Sequence, residues 1–227
     1  MDDVPANVHE SIFTSIYEAN HWGSTVSRSG PGSESETTAV IRMEVPKLLR
    51  SLGAESLLDI PCGDFGWLRQ ASLPIQNYIG GDIVRELIER LQVELENHAL
   101  GYSCTFLHLN LLADDLPKVD VVLCRDCLVH FSYASIFAAI QNLVRSGSTY
   151  LLTTTFTGRT ANRESRDGGW RTLNLELPPF HFPPPLQLIN EACPEGDGRY
   201  ADKSLGLWRL ADLGKLTFQA PPQKPGN

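Results

Sequence analysis

The sequence predicts an α/β three-layer sandwich whose sheet is mostly parallel, with an antiparallel C-terminal edge. Three observations carry this. Apolar runs of strand length alternate with helical patterns from residue 56 to residue 156, as parallel strands covered on both faces do. The first run, LLDIPCGDFGWL from Leu57 to Leu68, goes straight from strand residues into the turn Cys62-Gly63-Asp64-Phe65-Gly66, as a strand buried on both faces should. Beyond residue 156 the alternation stops, and apolar runs at 173–177 and 205–210 supply the last two of seven strands, antiparallel to the rest.

The elements follow in order. Residues 1–35 read as a polar, turn-rich arm around Phe13, Tyr17 and Trp22, ending in SRSGPGSES, where Gly and Pro exclude regular structure. A domain over 36–220 begins with a helix at 36–52, in which Ile41, Val45, Leu48, Leu49 and Leu52 recur at helical spacing and Gly53 is the stop. Then come strand 56–60, a short helix 65–71, strand 77–82, helix 84–97, strands 104–110 and 120–125, helix 133–145 and strand 148–156. Ser132 is the expected N-cap of the 133–145 helix, and Gly147 ends it. Residues 157–185 read as an insertion, since LPPFHFPPP keeps proline out of helix interiors and central strands. A helix near 186–192 precedes the last strand, and 221–227 is a tail expected to be disordered.

Composition excludes several classes of function. The 27 acidic and 19 basic residues of this 227-residue chain give a formal charge of -8 with no basic run, so nucleic acid is not the expected partner. No stretch is apolar enough for a signal peptide or a membrane span. Five cysteines without framework spacing fit thiols in a reducing cytoplasm. Nothing specifies an oligomeric state.

In an open parallel sheet, ligands sit outside the carboxyl ends of the strands. Those ends are Asp59 to Gly66, Asp82, Asn110 and Arg125-Asp126. Asp82 closes the second strand 19 residues after Gly63, where a carboxylate can accept both hydroxyls of a ribose. Gly63 lets the backbone approach a ligand closely. The dinucleotide pattern G-x-G-x-x-G is absent, with Pro61 in the first glycine's place and a carboxylate at Asp64. The loop therefore suits a nucleoside without a diphosphate, such as one bearing a sulfonium and an amino-acid tail, better than NAD.

LLDIPCGDFGW, YIGGDI, FLHLNLLADDLP and DVVLCRDCLVHFS resemble, in order and spacing, the class I S-adenosylmethionine-dependent methyltransferases, over residues 53–156. NHWGSTVSRSGPGS and GRYADKSLGLWRL are similar to parts of one bacterial-type branch. The resemblance implies the Rossmann-like methyltransferase fold and S-adenosyl-L-methionine as cofactor. It puts the methionine end at Asp59 and the Cys62-Gly63 backbone, the ribose at Asp82, and the adenine at Ile83, Asn110 and Leu111. Two departures stand out: Pro61 and Phe65 replace glycines of the usual loop, and Asn110 replaces an acid.

CRDCLVHFS supplies the candidate catalytic residues. His130 can accept a hydroxyl proton, and Asp126 can orient it or act as the base itself. Arg125, counted with the cofactor-binding residues, can anchor a carboxylate or phosphate on the substrate, or equally pair with a local acid to shape the loop. Cys124 and Cys127 form a lone C-x-x-C without the further ligands zinc needs, and the dispersed histidines assemble no metal site. The arm can lie over the cofactor through Trp22 and the SGPGS glycines. The insertion, with Arg159, Arg163, Trp170, Phe180, His181 and Phe182, stands where the acceptor would bind. The expected activity is O-methylation of a small polar molecule or a sugar hydroxyl. The rivals are N-methylation of an amine or protein side chain, and a non-catalytic cofactor-binding partner subunit.

Overall fold

A computed structural model of the chain describes residues 6–96 and 100–216; the tail predicted at 221–227 lies outside them. Its strands are β1 (Ser56–Asp59), β2 (Asn77–Asp82), β3 (Ser103–His108), β4 (Val121–Cys124), β5 (Tyr150–Phe156), β6 (Gln187–Asn190) and β7 (Lys203–Arg209). They form one sheet in the order β3-β2-β1-β4-β5-β7-β6. β1 to β5 are mutually parallel, and β7 runs antiparallel to both β5 and β6. The chain order reverses at β1, whose neighbours are β2 on one side and β4 on the other. Between them lies the crevice in which this architecture binds ligands.

Three layers follow from the period of two along each strand. Leu57, Leu123 and Leu152 share a core with Ile41, Val45 and Leu49 of α2 (Ala39–Leu52) and with Leu87, Ile88 and Leu91 of α3 (Arg85–Glu96). Their sheet neighbours Leu58, Val122 and Leu151 face the other way, onto Ile136, Ile140 and Leu143 of α4 (Tyr133–Arg145) and onto Trp208. Capping agrees with the sequence. Gly53 closes α2 in the left-handed region at φ 63°, and Ser132 Oγ accepts the N–H of Ser135 at 3.2 Å to start α4.

Four expectations are corrected. The arm is not turn-rich throughout, because Ala6–Glu18 is a helix, α1; Phe13, Ile16 and Tyr17 recur at helical spacing and turn toward the sheet's carboxyl edge. The helix expected at 65–71 shrinks to one 3-10 turn, Leu68–Gln70, because Phe65 sits at φ 56° and the Asp64 carboxylate caps the N–H of Gly66 at 3.1 Å. The helix expected near 186–192 is the strand β6, which pairs with β7 in the register Leu188↔Gly206 and takes its backbone hydrogen bonds from that edge of the sheet. The run 173–177 forms no strand; Leu173 and Leu175 are buried anchors of the insertion instead. β6 replaces it, and the count of seven stands.

Candidate functional site

Parallel pairing in the register Asp59↔Gly80 brings Asp59 and Asp82 to the same edge of the sheet. The turn leaving β1 is sewn to both neighbouring strands: Ile60 donates its N–H to Leu123 O at 2.9 Å, and Cys62 donates to Gly81 O at 2.8 Å. Gly63, at φ 52°, then donates to Asp82 Oδ2 at 3.1 Å, while Val84 donates to Asp82 Oδ1 at 3.0 Å. The N–H groups of Cys62 and Gly63 are thus spent within the protein. What approaches Gly63 closely is Ser29, whose Oγ would lie 2.3 Å from any Cβ placed there.

Both carboxylates are buried. Burial pushes the Asp59 carboxyl up to about 7, against the stabilising hydroxyl of Tyr78 at 2.9 Å and with the nearby charge of Asp82 adding to the rise. Burial also raises Asp82, opposed by the backbone N–H groups that point at it. The Cys62 thiol is pushed up by burial and stays protonated.

Residues 24–35 run across this turn as a strap. Ser27 Oγ donates to Asp64 Oδ2 at 2.6 Å, Asp64 N donates to Ser29 Oγ at 3.0 Å, and the Gly32 carbonyl accepts from Arg125 Nη2 at 2.8 Å. Trp22, just before the strap, lies against the His130 ring with centroids 4.4 Å apart. α1 roofs the same space: His9 Nε2 lies 3.2 Å from Asp167 Oδ2, and Phe13 meets Phe131 edge-on at 5.6 Å.

At the end of β4 a charge network forms that sequence spacing did not reveal. Arg125 Nε and Nη2 donate to Glu191, the closer contact being 2.7 Å, and Nη1 lies 3.2 Å from Asp126 Oδ2. Lys203 Nζ donates to the same Asp126 oxygen at 2.6 Å and sits 3.5 Å from Glu191. Burial alone would raise the Asp126 carboxyl, but Arg125 and Lys203 hold it well below the usual carboxylate range. Asp126 is therefore a fixed anion with no proton to exchange near neutrality. The signal for Glu191 and Lys203 was available only as two charged residues flanking short apolar strands.

His130 closes the 3-10 turn Leu128–His130. Its Nδ1 lies 2.8 Å from Gly169 O, and because a carbonyl can only accept, Nδ1 carries the proton in the neutral ring. Nε2 is then an acceptor, with no hydrogen bond to any described residue. Burial lowers the His130 pKa, against the Gly169 bond and the charge of Asp126, so the ring is neutral at pH 7. The turn is clamped by Arg171, buried at 9% exposure, whose Nη1 donates to Leu128 O at 3.0 Å and Val129 O at 2.8 Å. Of the insertion, residues 168–171 reach the site through these bonds. Phe180 and Phe182 are core residues, 1% and 3% exposed, while Trp170 stays on the surface.

One cavity gathers the candidate catalytic and cofactor-binding residues: Trp22, Asp59, Cys62, Gly63, Asp82, Ile83, Asn110, Leu111, Arg125, Asp126 and His130 all line it, together with Phe13, Tyr17 and Arg28, whereas Arg159, Arg163, Trp170, Phe180, His181 and Phe182 of the insertion do not. Its empty space, with the open mouth included, is about 1120 Å³. At its far wall, Asn110 Oδ1 accepts from Leu112 N at 2.9 Å, which orients the amide. Among the described residues, no group of three His, Cys, Asp or Glu is placed to hold a metal ion.

No protein-family model and no curated protein matches the sequence. Solved structures do. The N-methyltransferase NodS from Bradyrhizobium japonicum WM9 is similar at 15% identity over 78% of this chain and 98% of that one, with a TM-score of 0.56. The chain has the class I methyltransferase fold. The methyltransferase domain of bacterial CtHen1-C shares it at 14% identity, over 77% of this chain and 98% of that one, with a TM-score of 0.56. Magnesium protoporphyrin IX methyltransferase from Synechocystis PCC 6803, whose structure holds SAH, matches at 20% identity over 66% and 71%, with a TM-score of 0.50. In this methyltransferase fold the cavity occupies the switch point between β1, β2 and β4.

Proposed function

We propose that the protein is an S-adenosylmethionine-dependent methyltransferase that methylates a hydroxyl of a small polar molecule or a sugar, with His130 as the base. The observation that carries this reading is the joining, in one cavity, of two buried strand-end carboxylates, Asp59 and Asp82, to a neutral imidazole with an unengaged Nε2. The residues present fit the cofactor. Asp82 Oδ2 accepts from Gly63 N and Oδ1 from Val84 N, and the carboxylate still presents acceptor capacity to a diol; Ile83, Leu109 and Leu111 offer apolar faces for a base; and a carboxylate-rich lining suits a sulfonium.

When bound, the cofactor supplies a methyl group on a sulfonium, already activated for displacement. The protein's share is to position and to move one proton. His130 Nε2 takes the acceptor's hydroxyl proton while Nδ1 stays tied to Gly169, which fixes the ring plane and the tautomer. Asp126, locked between Arg125 and Lys203, contributes a constant negative charge beside the imidazolium that forms.

The test is calorimetric titration with S-adenosylmethionine and, separately, NAD, on wild type and Asp82→Ala. Micromolar binding of the sulfonium compound, lost in the variant and absent for NAD, supports the reading. Labelled-methyl transfer to hydroxyl and amine panels then assigns the acceptor atom, and transfer to amines that persists in His130→Ala would replace O-methylation by N-methylation. If neither compound bound, a non-catalytic partner subunit would be the better account.

A further inference from the structure

The cavity is lined by four carboxylates, Asp59, Asp64, Asp82 and Asp126, and among the described residues by two arginines, Arg125 and Arg28. Those cations are the charged partners that the cavity offers to a ligand's free carboxylate. Arg125, the natural candidate from sequence, is committed: its Nε and Nη2 are taken by Glu191 and the Gly32 carbonyl, and Nη1 faces Asp126. Its guanidinium also lies over the Trp67 ring at 5.6 Å.

Arg28 is different. It is exposed on the strap, between Ser27 and Ser29, the two residues bonded to the turn after β1. Its Nη1 touches only the last carbonyls of α1, Tyr17 O at 3.3 Å and Glu18 O at 3.4 Å, and its guanidinium lies 6.0 Å from the Tyr17 ring. Nε and Nη2 make no hydrogen bond to any described residue, which leaves one edge of the fork for a planar, bidentate partner.

Resting on the cofactor reading above, we propose that Arg28 binds the carboxylate of the cofactor's amino-acid tail, so that the strap itself forms part of the cofactor site. The tail then ties the strap to the β1 turn, and Arg125 is left as a structural residue of the network.

The test compares S-adenosylmethionine with its decarboxylated analogue, which keeps the sulfonium and the amine, by calorimetry on wild type, Arg28→Ala and Arg28→Lys. We expect wild type to prefer the carboxylate-bearing compound by about tenfold or more, as a charge-assisted bidentate pair implies. Arg28→Ala should erase that preference by weakening that compound alone, and Arg28→Lys should keep part of it. Equal weakening of both compounds, or of neither, overturns the assignment while leaving the cofactor reading intact. A wild type that binds neither compound overturns the cofactor reading, and the assignment with it.

Discussion

His130 donates its Nδ1 proton to the carbonyl of Gly169 at 2.8 Å, and this one bond decides which nitrogen can act as a base. Replacing His130 by Ala should lower transfer to a hydroxyl acceptor by about 10²- to 10⁴-fold, the usual worth of a positioned base, with cofactor affinity within a few-fold of wild type. Because burial lowers the His130 pKa below 6.5, kcat/KM for the acceptor, measured at saturating cofactor, should be flat across neutral pH and fall only on the acid side. A profile still rising between pH 7 and 8 would point to a different base.

Arg171 is a buried cation whose Nε and Nη2 have no hydrogen-bond partner among the described residues and whose Nη1 clamps the carbonyls of Leu128 and Val129. Its charge works against protonation of His130, as does that of Lys203, while Asp126 works for it. Arg171→Met should move the His130 titration, read by NMR on the full chain, toward higher pH and loosen the 128–130 turn. Arg171→Lys should restore the titration more fully than the stability. An unmoved titration would leave Arg171 a purely structural clamp.

How legible was this site? The strand ends were readable because each apolar run stops on a polar residue, and a parallel sheet gathers those ends at one edge. Asp59, Asp82 and Asp126 are far apart in sequence yet fall on one cavity for that reason, and Trp22 joins them from the arm that crosses that edge. Glu191 and Lys203 were not readable, since they meet Arg125 and Asp126 only after two antiparallel strands pair, and β6 is too short to show a period. α1 was missed because polar neighbours of Phe13 and Tyr17 masked their helical spacing.

Asp59 makes a prediction about pH. Its carboxyl is raised from 3.8 to about 7 in the folded protein, so between these values the folded state holds a proton that the unfolded chain has lost. Stability from this group is complete below pH 4 and is lost as pH rises through about 7. Asp59→Asn should therefore raise the melting temperature more at pH 8 than at pH 5. Binding of a cationic cofactor favours the carboxylate, so it should release protons near neutrality, measurable as a dependence of the calorimetric heat on buffer ionisation enthalpy.

The Arg125–Asp126–Glu191–Lys203 network is balanced, two cations against two anions, with Glu191 and Lys203 only 1% and 4% exposed. Removing one member strands its partner in a poorly solvated place, at a cost of about 3–5 kcal/mol. Urea unfolding of Lys203→Met should show a loss of that order. Simultaneous Lys203→Met and Glu191→Gln should recover part of it, because the pair of charges leaves together. Additive losses would mean that the two residues act separately.

Ser27 is one of the strap's ties to the β1 turn: its hydroxyl donates to Asp64 at 2.6 Å and accepts from Ser29 N at 3.1 Å. Ser27→Ala removes a charge-assisted bond worth about 1.5–3 kcal/mol. Strap opening exposes little of the core, so it is a local event whose free energy is smaller than that of global unfolding. The variant should release S-adenosylhomocysteine about tenfold faster in stopped-flow fluorescence, with Trp22, whose ring lies tilted against that of His130 at 4.4 Å, among the reporters. Its melting temperature should move little, because the helices and strands beneath the strap keep their packing. If release were unchanged while the melting temperature fell, the strap would be a structural brace of the β1 turn, and the cofactor would leave by the open mouth of the cavity without moving it.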